Sequence, residues 1–412
     1  MTTRPLEGIR VLDLGRYIAA PYCAMMLAAF GADVLRVEKI GGEPGRYSGP
    51  YIRGRSFYYP SFNQGKRNIA VDLRSDEGLQ IVRSLARTAD ALVENFRPGT
   101  LSAIGLDYDT MRSHNPGLVV ASVNGFGSDG RLKDRTAFDS IAQAMSGLMD
   151  VTRGADDKPL VSGAFLADIA AGNHAAMGVV MALFERTRTG MGQSLEVSLL
   201  DSAISYLGLA VPAAGAGLET LARRGSRDPL RSPATVFPAL DGFVFIHAGV
   251  EPVWIRLAIA IGRKDLLEDE RFRGYQARLA NVAELESEIS AWTSGRSQAD
   301  IVSALSAADI PCGPVNTVAQ AIGDEDVLGR GAVRRYEFDG FGSMPLPGFP
   351  IRMGGTWTPI AAPRGCGADT IEILAGELGM AQDEIADLLD RGIVALPPAS
   401  DIQGHQDAVD QA

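Results

Sequence analysis

Short apolar runs alternate with amphipathic stretches over the first two hundred residues. Ile9-Arg10-Val11-Leu12-Asp13-Leu14 predicts a strand, and a helix follows from Pro21 through Met25, Met26, Leu27 and Phe30. Gly31 ends that helix, and residues 32–38 read as a second strand. Strand–helix–strand in so few residues is the grammar of a parallel sheet. Further strands are predicted at 68–73, 91–96, 118–124 and 194–197. Helices are predicted at 76–88, with Leu79, Val82, Leu85 and Ala86 inward, and at 100–114, 138–149 and about 199–213. The pattern gives an α/β fold with a Rossmann-like first half.

The rhythm breaks at 214–236, where Arg223, Arg224, Arg227 and Arg231 stand among Pro229 and Pro233. A second unit then reads as a strand at 243–247, helices at 252–261, 282–293 and 298–308, and a turn at Pro311-Cys312-Gly313-Pro314-Val315. Strands return at 333–338 and 349–353, a helix is predicted near 369–391, and the polar tail from 397 is expected to fray.

One stretch carries the candidate chemistry: Gly163-Ala164-Phe165-Leu166-Ala167-Asp168-Ile169-Ala170-Ala171-Gly172. A helix pattern follows it, with Met177, Val180, Met181 and Phe184 on one face. Asp is a favoured N-cap, so Asp168 reads in one way as the start of this helix. It reads in another as a carboxylate nucleophile, with free N–H groups at the helix start to receive an oxyanion. Small neighbours would let a bulky substrate reach it.

Composition narrows the field. A net charge of −11 excludes a general phosphate-backbone binder. Cys23, Cys312 and Cys366 form no zinc spacing or disulfide framework, and His114, His174, His247 and His405 form no HExxH, so no metal is expected. The first residues carry no apolar leader, and the apolar runs around 175–184 and 205–218 are shorter than the ~20 residues of a bilayer span. The expectation is a cytoplasmic protein. Gly125-Phe126-Gly127-Ser128-Asp129-Gly130 matches GxGxxG, but the charged residues 131–135 that follow do not open a helix, which disfavours dinucleotide binding. Lys39, Lys66, Arg67 and Arg74 flank strand ends and are candidates for phosphate, with a solvated face as the alternative. Val93-Glu94-Asn95-Phe96-Arg97-Pro98-Gly99 ends a strand where Asn95 could bond a ligand and Phe96 stack on it, or where ordinary turn chemistry suffices.

Jointly these stretches resemble the class III CoA-transferases, the formyl-CoA and carnitine CoA-transferase group. The motifs are Pro5-Leu6-Glu7-Gly8-Ile9-Arg10-Val11-Leu12-Asp13-Leu14, the run from Leu27 to Glu38, Phe62-Asn63-Gln64-Gly65-Lys66-Arg67-Asn68-Ile69-Ala70-Val71-Asp72-Leu73, Val93 to Gly99, Arg186-Thr187-Arg188-Thr189-Gly190-Met191-Gly192-Gln193, and the Pro311–Val315 turn. The resemblance runs from about residue 5 to residue 395.

It implies an acyl-CoA:carboxylate CoA-transferase in which Asp168 forms an acyl anhydride and then an aspartyl-CoA thioester. Coenzyme A is substrate, with no tightly bound cofactor. Coenzyme A contacts carry over to Arg16, Ile18, Ala19, Lys39, Val71, Arg74, Asn95 and Phe96. Ala103, Ile104 and Thr136 depart from the Arg, Met and Lys of formyl-CoA transferase. That enzyme's Gly-rich substrate loop has no counterpart, so oxalate and formate are not implied. The implied layout is a large Rossmann-like domain at 1–205, a linker at 206–236, a smaller α+β domain at 237–320, a linker at 321–335, a return to the large domain at 336–395 and a tail at 396–412. Two such chains would interlock as a homodimer. The alternatives are an α-methylacyl-CoA racemase-like isomerase, disfavoured because Phe138 replaces the racemase His, an intramolecular CoA-transferase, and a non-catalytic coenzyme A binder.

Overall fold

The six strands predicted in the first half form one sheet in the computed structural model, which describes residues 4–154, 157–218, 225–338, 342–353 and 360–397. They are β1 (Arg10–Asp13), β2 (Asp33–Glu38), β3 (Lys66–Val71), β4 (Ala91–Glu94), β5 (Val119–Asn124) and β6 (Ser194–Ser198). All six run parallel in the order β3-β2-β1-β4-β5-β6. A short strand absent from the sequence reading, β7 (Val394–Ala395), adds antiparallel beside β3. The order reverses between β1 and β4. In an open α/β sheet, the crevice beyond the carboxyl ends of the strands at such a reversal is where ligands bind.

Near-continuous apolar strands mean that both sheet faces are covered. On one face lie α1 (Ala19–Ala29) and the 24-residue α4 (Leu166–Thr189), on the other α2 (Asp76–Arg87) with the helices Thr370–Gly376 and Gln382–Asp390. The short α3 (Asp139–Ser146) and α5 (Leu199–Ser205) pack against α4.

The buried face of α4 is mostly alanine: Ala167, Ala170, Ala171, Ala175, Ala176 and Ala182, with Gly172 among them. Small residues bring backbones together, and a Cβ on Gly172 would fall 2.7 Å from the carbonyl oxygen of Ala19. The Met177, Val180, Met181 and Phe184 face is the exposed one, Phe184 to 64%. By length and composition α4 could cross a membrane, longer than the sequence reading allowed, but half of its most apolar window is buried in the protein.

Several predicted elements differ. The helix at 138–149 breaks at Gly147, φ +92°, and the helix at about 199–213 is two, Leu199–Ser205 and Ala210–Gly215. The helix at 100–114 is two turns, Thr100–Ala103 and Tyr108–Met111, separated at Gly105 with φ of +67°. The C-terminal helix breaks likewise around Gly379, at φ +66°. Residues 349–353 form no strand; Val333–Phe338 pairs with Gly342–Pro347 instead, and Pro350 has no N–H for a ladder.

The chain divides into two units. The first holds the sheet and spans Met1–Ser146, Gly163–Tyr206 and Glu325–Ala412. The second, Gly147–Ser162 with Leu207–Asp324, has an antiparallel sheet of Ala234–Ala239, Gly242–His247 and Cys312–Pro314. Its core holds Phe237, Trp254, Phe272, Leu285 and Ile289. Cys312 to Pro314, read from sequence as a turn, is thus an edge strand.

Candidate active site

The carboxyl edge of the sheet is built by four adjacent loops. After β1 the chain turns sharply, and the Asp13 carboxylate accepts the Gly15 N–H at 2.8 Å. Tyr17 takes a left-handed backbone, φ +60°, which a bulky residue rarely adopts. Glu43 accepts its N–H at 2.9 Å. α1 begins directly afterwards.

Across the strand reversal, Asn95 follows β4. Its Oδ1 accepts the Arg16 N–H at 2.6 Å and its Nδ2 donates to the Arg16 carbonyl at 2.8 Å. The Arg16 guanidinium lies 5.0 Å from the Phe96 ring centroid. The two loops flanking the crevice are therefore joined by the Asn95 amide and by the Arg16–Phe96 contact. Lys39 follows β2 and is exposed; Val71 ends β3, and Arg74, exposed and paired with Asp72, follows it. Ile18, Ala19 and Val71 are buried, so Ile18 and Ala19 face a ligand only through backbone. All eight residues expected to touch coenzyme A thus sit at or just beyond the carboxyl ends of β3, β2, β1 and β4. Arg97 adds a cation there, donating to Thr136 Oγ1 at 3.2 Å.

Lys66 and Arg67 do not join this set. They open β3, at its amino end. Buried Lys66 donates to Asp13 Oδ2, the Pro21 carbonyl and Asn63 Oδ1 at 2.7–2.8 Å. Burial pulls its ammonium down to about 8 despite the Asp13 charge. Arg67 pairs with Asp33 and Glu377. Arg36, fully buried, donates to Asp13 Oδ1 at 2.9 Å. This charge network fixes the β1 loop and the start of α1.

Asp168 is not an N-cap. α4 begins two residues earlier, and its start is closed by a side chain from α3. Asp139 Oδ1 accepts the N–H groups of Ala167 at 2.7 Å and Asp168 at 3.2 Å, while Gln143 Nε2 donates to Asp139 Oδ2 at 2.6 Å. The Leu166 and Ile169 N–H groups bond Ala164 and Phe165 carbonyls. The N–H groups of Leu166, Ala167, Asp168 and Ile169 are thus all taken within the described residues, where the sequence suggested free ones for an oxyanion.

The Asp168 carboxylate is half-buried and makes no hydrogen bond or ion pair among the described residues. Burial, and after it the nearby Asp139 carboxylate, push it up to about 7. Aromatic rings surround this end of α4. Phe165 meets Tyr58 at 6.2 Å and Phe62 at 6.4 Å, and Tyr17 meets Phe138 at 6.1 Å, all edge to face. Burial and then the Asp168 charge hold the Tyr58 phenol up. One turn after Asp168, Gly172 lies against the Ala19 carbonyl, so the candidate nucleophile and the β1 loop are neighbours.

The other candidates fall elsewhere. His174 bonds Ser202 at 3.1 Å and packs on Tyr206. Arg227 pairs with Glu286 inside the second unit, Arg231 is exposed, and Arg223 and Arg224 lie outside the described residues. The Gly-rich loop after β5 lines a cavity of about 450 Å³ with Asp129, Glu196 and Asp201 against one Arg131, a poor setting for pyrophosphate.

This geometry has relatives. The model of CoA-transferase family III matches residues 6–370. The chain belongs to CoA-transferase family III. It is an enzyme of that class. The succinyl-CoA–D-citramalate CoA-transferase of Chloroflexus aurantiacus is 32% identical over 95% of this chain and 98% of the relative. The succinate–glutarate CoA-transferase of Agrobacterium fabrum is 35% identical over 85% of this chain and 90% of the relative. A solved CaiB/BaiF family protein from Brucella suis superposes with a TM-score of 0.81 at 32% identity, covering 91% of this chain and all of that one.

Proposed function

We propose that this CoA-transferase moves coenzyme A between carboxylic acids through covalent intermediates on Asp168. The Asp168 carboxylate attacks the thioester carbonyl of an acyl-CoA, the C–S bond breaks, and a mixed anhydride and CoA thiolate result. The thiolate attacks the aspartyl carbonyl of the anhydride, releasing the donor carboxylate and leaving an aspartyl-CoA thioester. The acceptor carboxylate attacks that thioester, thiolate leaves again, and its attack on the acceptor's acyl carbon gives the new acyl-CoA and free Asp168. Each step exchanges one acyl leaving group for another, and no proton or electron is lost.

The observation that carries this reading is an unpaired carboxylate, half-buried among aromatic rings, one helical turn from the loop at the strand reversal. Arg16, Lys39, Arg74, Asn95 and Phe96 are proposed to hold the nucleotide and pantetheine, with Ile18, Ala19 and Val71 shaping the floor. Succinyl-CoA is the first donor to try, because relatives are named for it. The chain is proposed to work in the cytoplasm as an interlocked homodimer, large domain 1–205 and 336–395, small domain 237–320, with 206–236 and 321–335 as linkers. The exposed apolar face of α4 supports self-association.

Intact-protein mass after mixing with succinyl-CoA or acetyl-CoA and quenching with hydroxylamine tests the mechanism. The expected result is a mass change localised to Asp168 and absent from Asp168→Ala. α-Proton exchange into deuterated solvent without any adduct would overturn it in favour of isomerase chemistry.

A further inference from the structure

Asp139 lies on α3, 29 residues before Asp168, yet it closes the start of the helix that carries Asp168. One oxygen, Oδ1, takes both the Ala167 and the Asp168 N–H groups, and the other takes the Gln143 amide. Asp139 and Gln143 are both buried. A carboxylate in the first turn of a helix is normally stabilised as an anion by those same N–H groups and by the positive end of the helix dipole. Here the N–H groups are already bonded to another carboxylate.

We propose that Asp139 is a positioning residue for the transfer reaction: it occupies the start of the nucleophile's helix and thereby leaves the Asp168 carboxylate unsolvated by that terminus and facing a second carboxylate. The proposal rests on Asp168 being the nucleophile. An anion without donors is a stronger base and a stronger nucleophile toward a thioester carbonyl, so the cap raises the reactivity of the group it does not touch. The groups facing Asp168 fit this. α3 supplies Asp139, the helix Tyr58–Phe62 supplies Tyr58, and Tyr17 from the β1 loop adds to the charge felt by Tyr58. α1 brings Tyr22 to the next turn, at Gly172, and α5 brings Ser202 to His174 two turns on. No lysine, arginine or histidine among the described residues pairs with Asp168.

The test is Asp139→Asn, which keeps an oxygen acceptor for the two N–H groups and removes the charge. Carbodiimide-driven amidation of Asp168, mapped by peptide mass spectrometry from pH 5 to 9, reads its ionisation with no need for turnover. The expected result is a midpoint lowered by about one pH unit, since a like charge nearby disfavours the ionised form, with a melting temperature within a few degrees of wild type. Acylation of Asp168 by acyl-CoA above the midpoint should slow several-fold. An unmoved midpoint overturns the proposal, and so does a fall in activity with the midpoint unchanged, which would make Asp139 structural only. Asp139→Ser, a short neutral acceptor, takes the same measurement if the Asn variant does not fold. A missing acyl adduct in the wild type would sink the transferase mechanism, while the amidation midpoints would still decide whether Asp139 governs Asp168.

Discussion

Asn95→Ala removes the amide that hydrogen-bonds the two loops flanking the strand reversal to each other. Two hydrogen bonds to the Arg16 backbone are lost, at 2.6 and 2.8 Å. A typical internal hydrogen bond contributes about 0.5–1.5 kcal/mol net. Both groups of Arg16 are open to water that can replace the lost partner, which puts the pair near about 1–2 kcal/mol. That free energy holds the β1 loop in the shape that keeps Arg16 over Phe96 and Tyr17 in its left-handed backbone. Coenzyme A must supply it on binding to the variant, so the dissociation constant should rise about 5–30-fold, at about 1.4 kcal/mol per tenfold. The chemistry on Asp168 is untouched, so KM for acyl-CoA should rise with kcat nearly unchanged. Calorimetric titration with free coenzyme A gives the first quantity and steady-state transfer the second. An affinity within twofold of wild type would refute the placement of coenzyme A at this crevice, and a large loss of kcat at unchanged KM would refute the division of labour between loop and helix.

Three further outcomes are expected. The wild-type kcat/KM should rise with pH and level off above about 7, because the attacking form of Asp168 is the ionised one; a flat profile between pH 5 and 9 refutes this. Gly172→Ala places a Cβ 2.7 Å from the Ala19 carbonyl and 3.0 Å from the Tyr22 ring, so α1 and α4 must part at a cost of ~1–3 kcal/mol, visible as a lower melting temperature and weaker coenzyme A binding; an unchanged melt would refute the close contact. Met181→Glu charges the exposed face of α4, and sedimentation should report monomer for it against the dimer proposed for wild type; unchanged sedimentation rejects that face as the self-association surface.

The parallel sheet was legible because its central strands are short, largely apolar runs with turn signals at their ends, and α2 because Ser75 caps it and its apolar positions repeat at helical spacing. The crevice was legible for the same reason: once strands 91–96 and 9–14 are placed, Asn95 and Arg16 fall at their ends. What the sequence hid is whatever depends on distant partners. Asp168 looks like a cap locally, and only the fold brings Asp139 from 29 residues away to take that role. Lys66 looks like a phosphate ligand beside Arg67, but its reach to Asp13 across 53 residues turns it inward. On α4, Met177, Val180, Met181 and Phe184 share one face in the sequence, but nothing local tells that this face is the exposed one. Alanines pack where two backbones must nearly touch, and the larger residues face out.

The aromatic rings near Asp168 have a further consequence. Phe138 is 59% exposed and Phe165 45% exposed, so neither supports the interior. The buried charges that hold the β1 loop, and the Gly172–Ala19 contact beside the helix start, are made by other residues. Substitutions at these rings can therefore accumulate with little loss of stability, while changes to Asp13, Arg36, Lys66 or Gly172 strike the frame itself. On the function proposed above, a lineage built on this plan is free to explore new acids by exchanging its rim, and it is bound to keep one carrier. Variation in substrate and constancy of coenzyme A would then be two faces of a single division between what is packed and what is merely displayed.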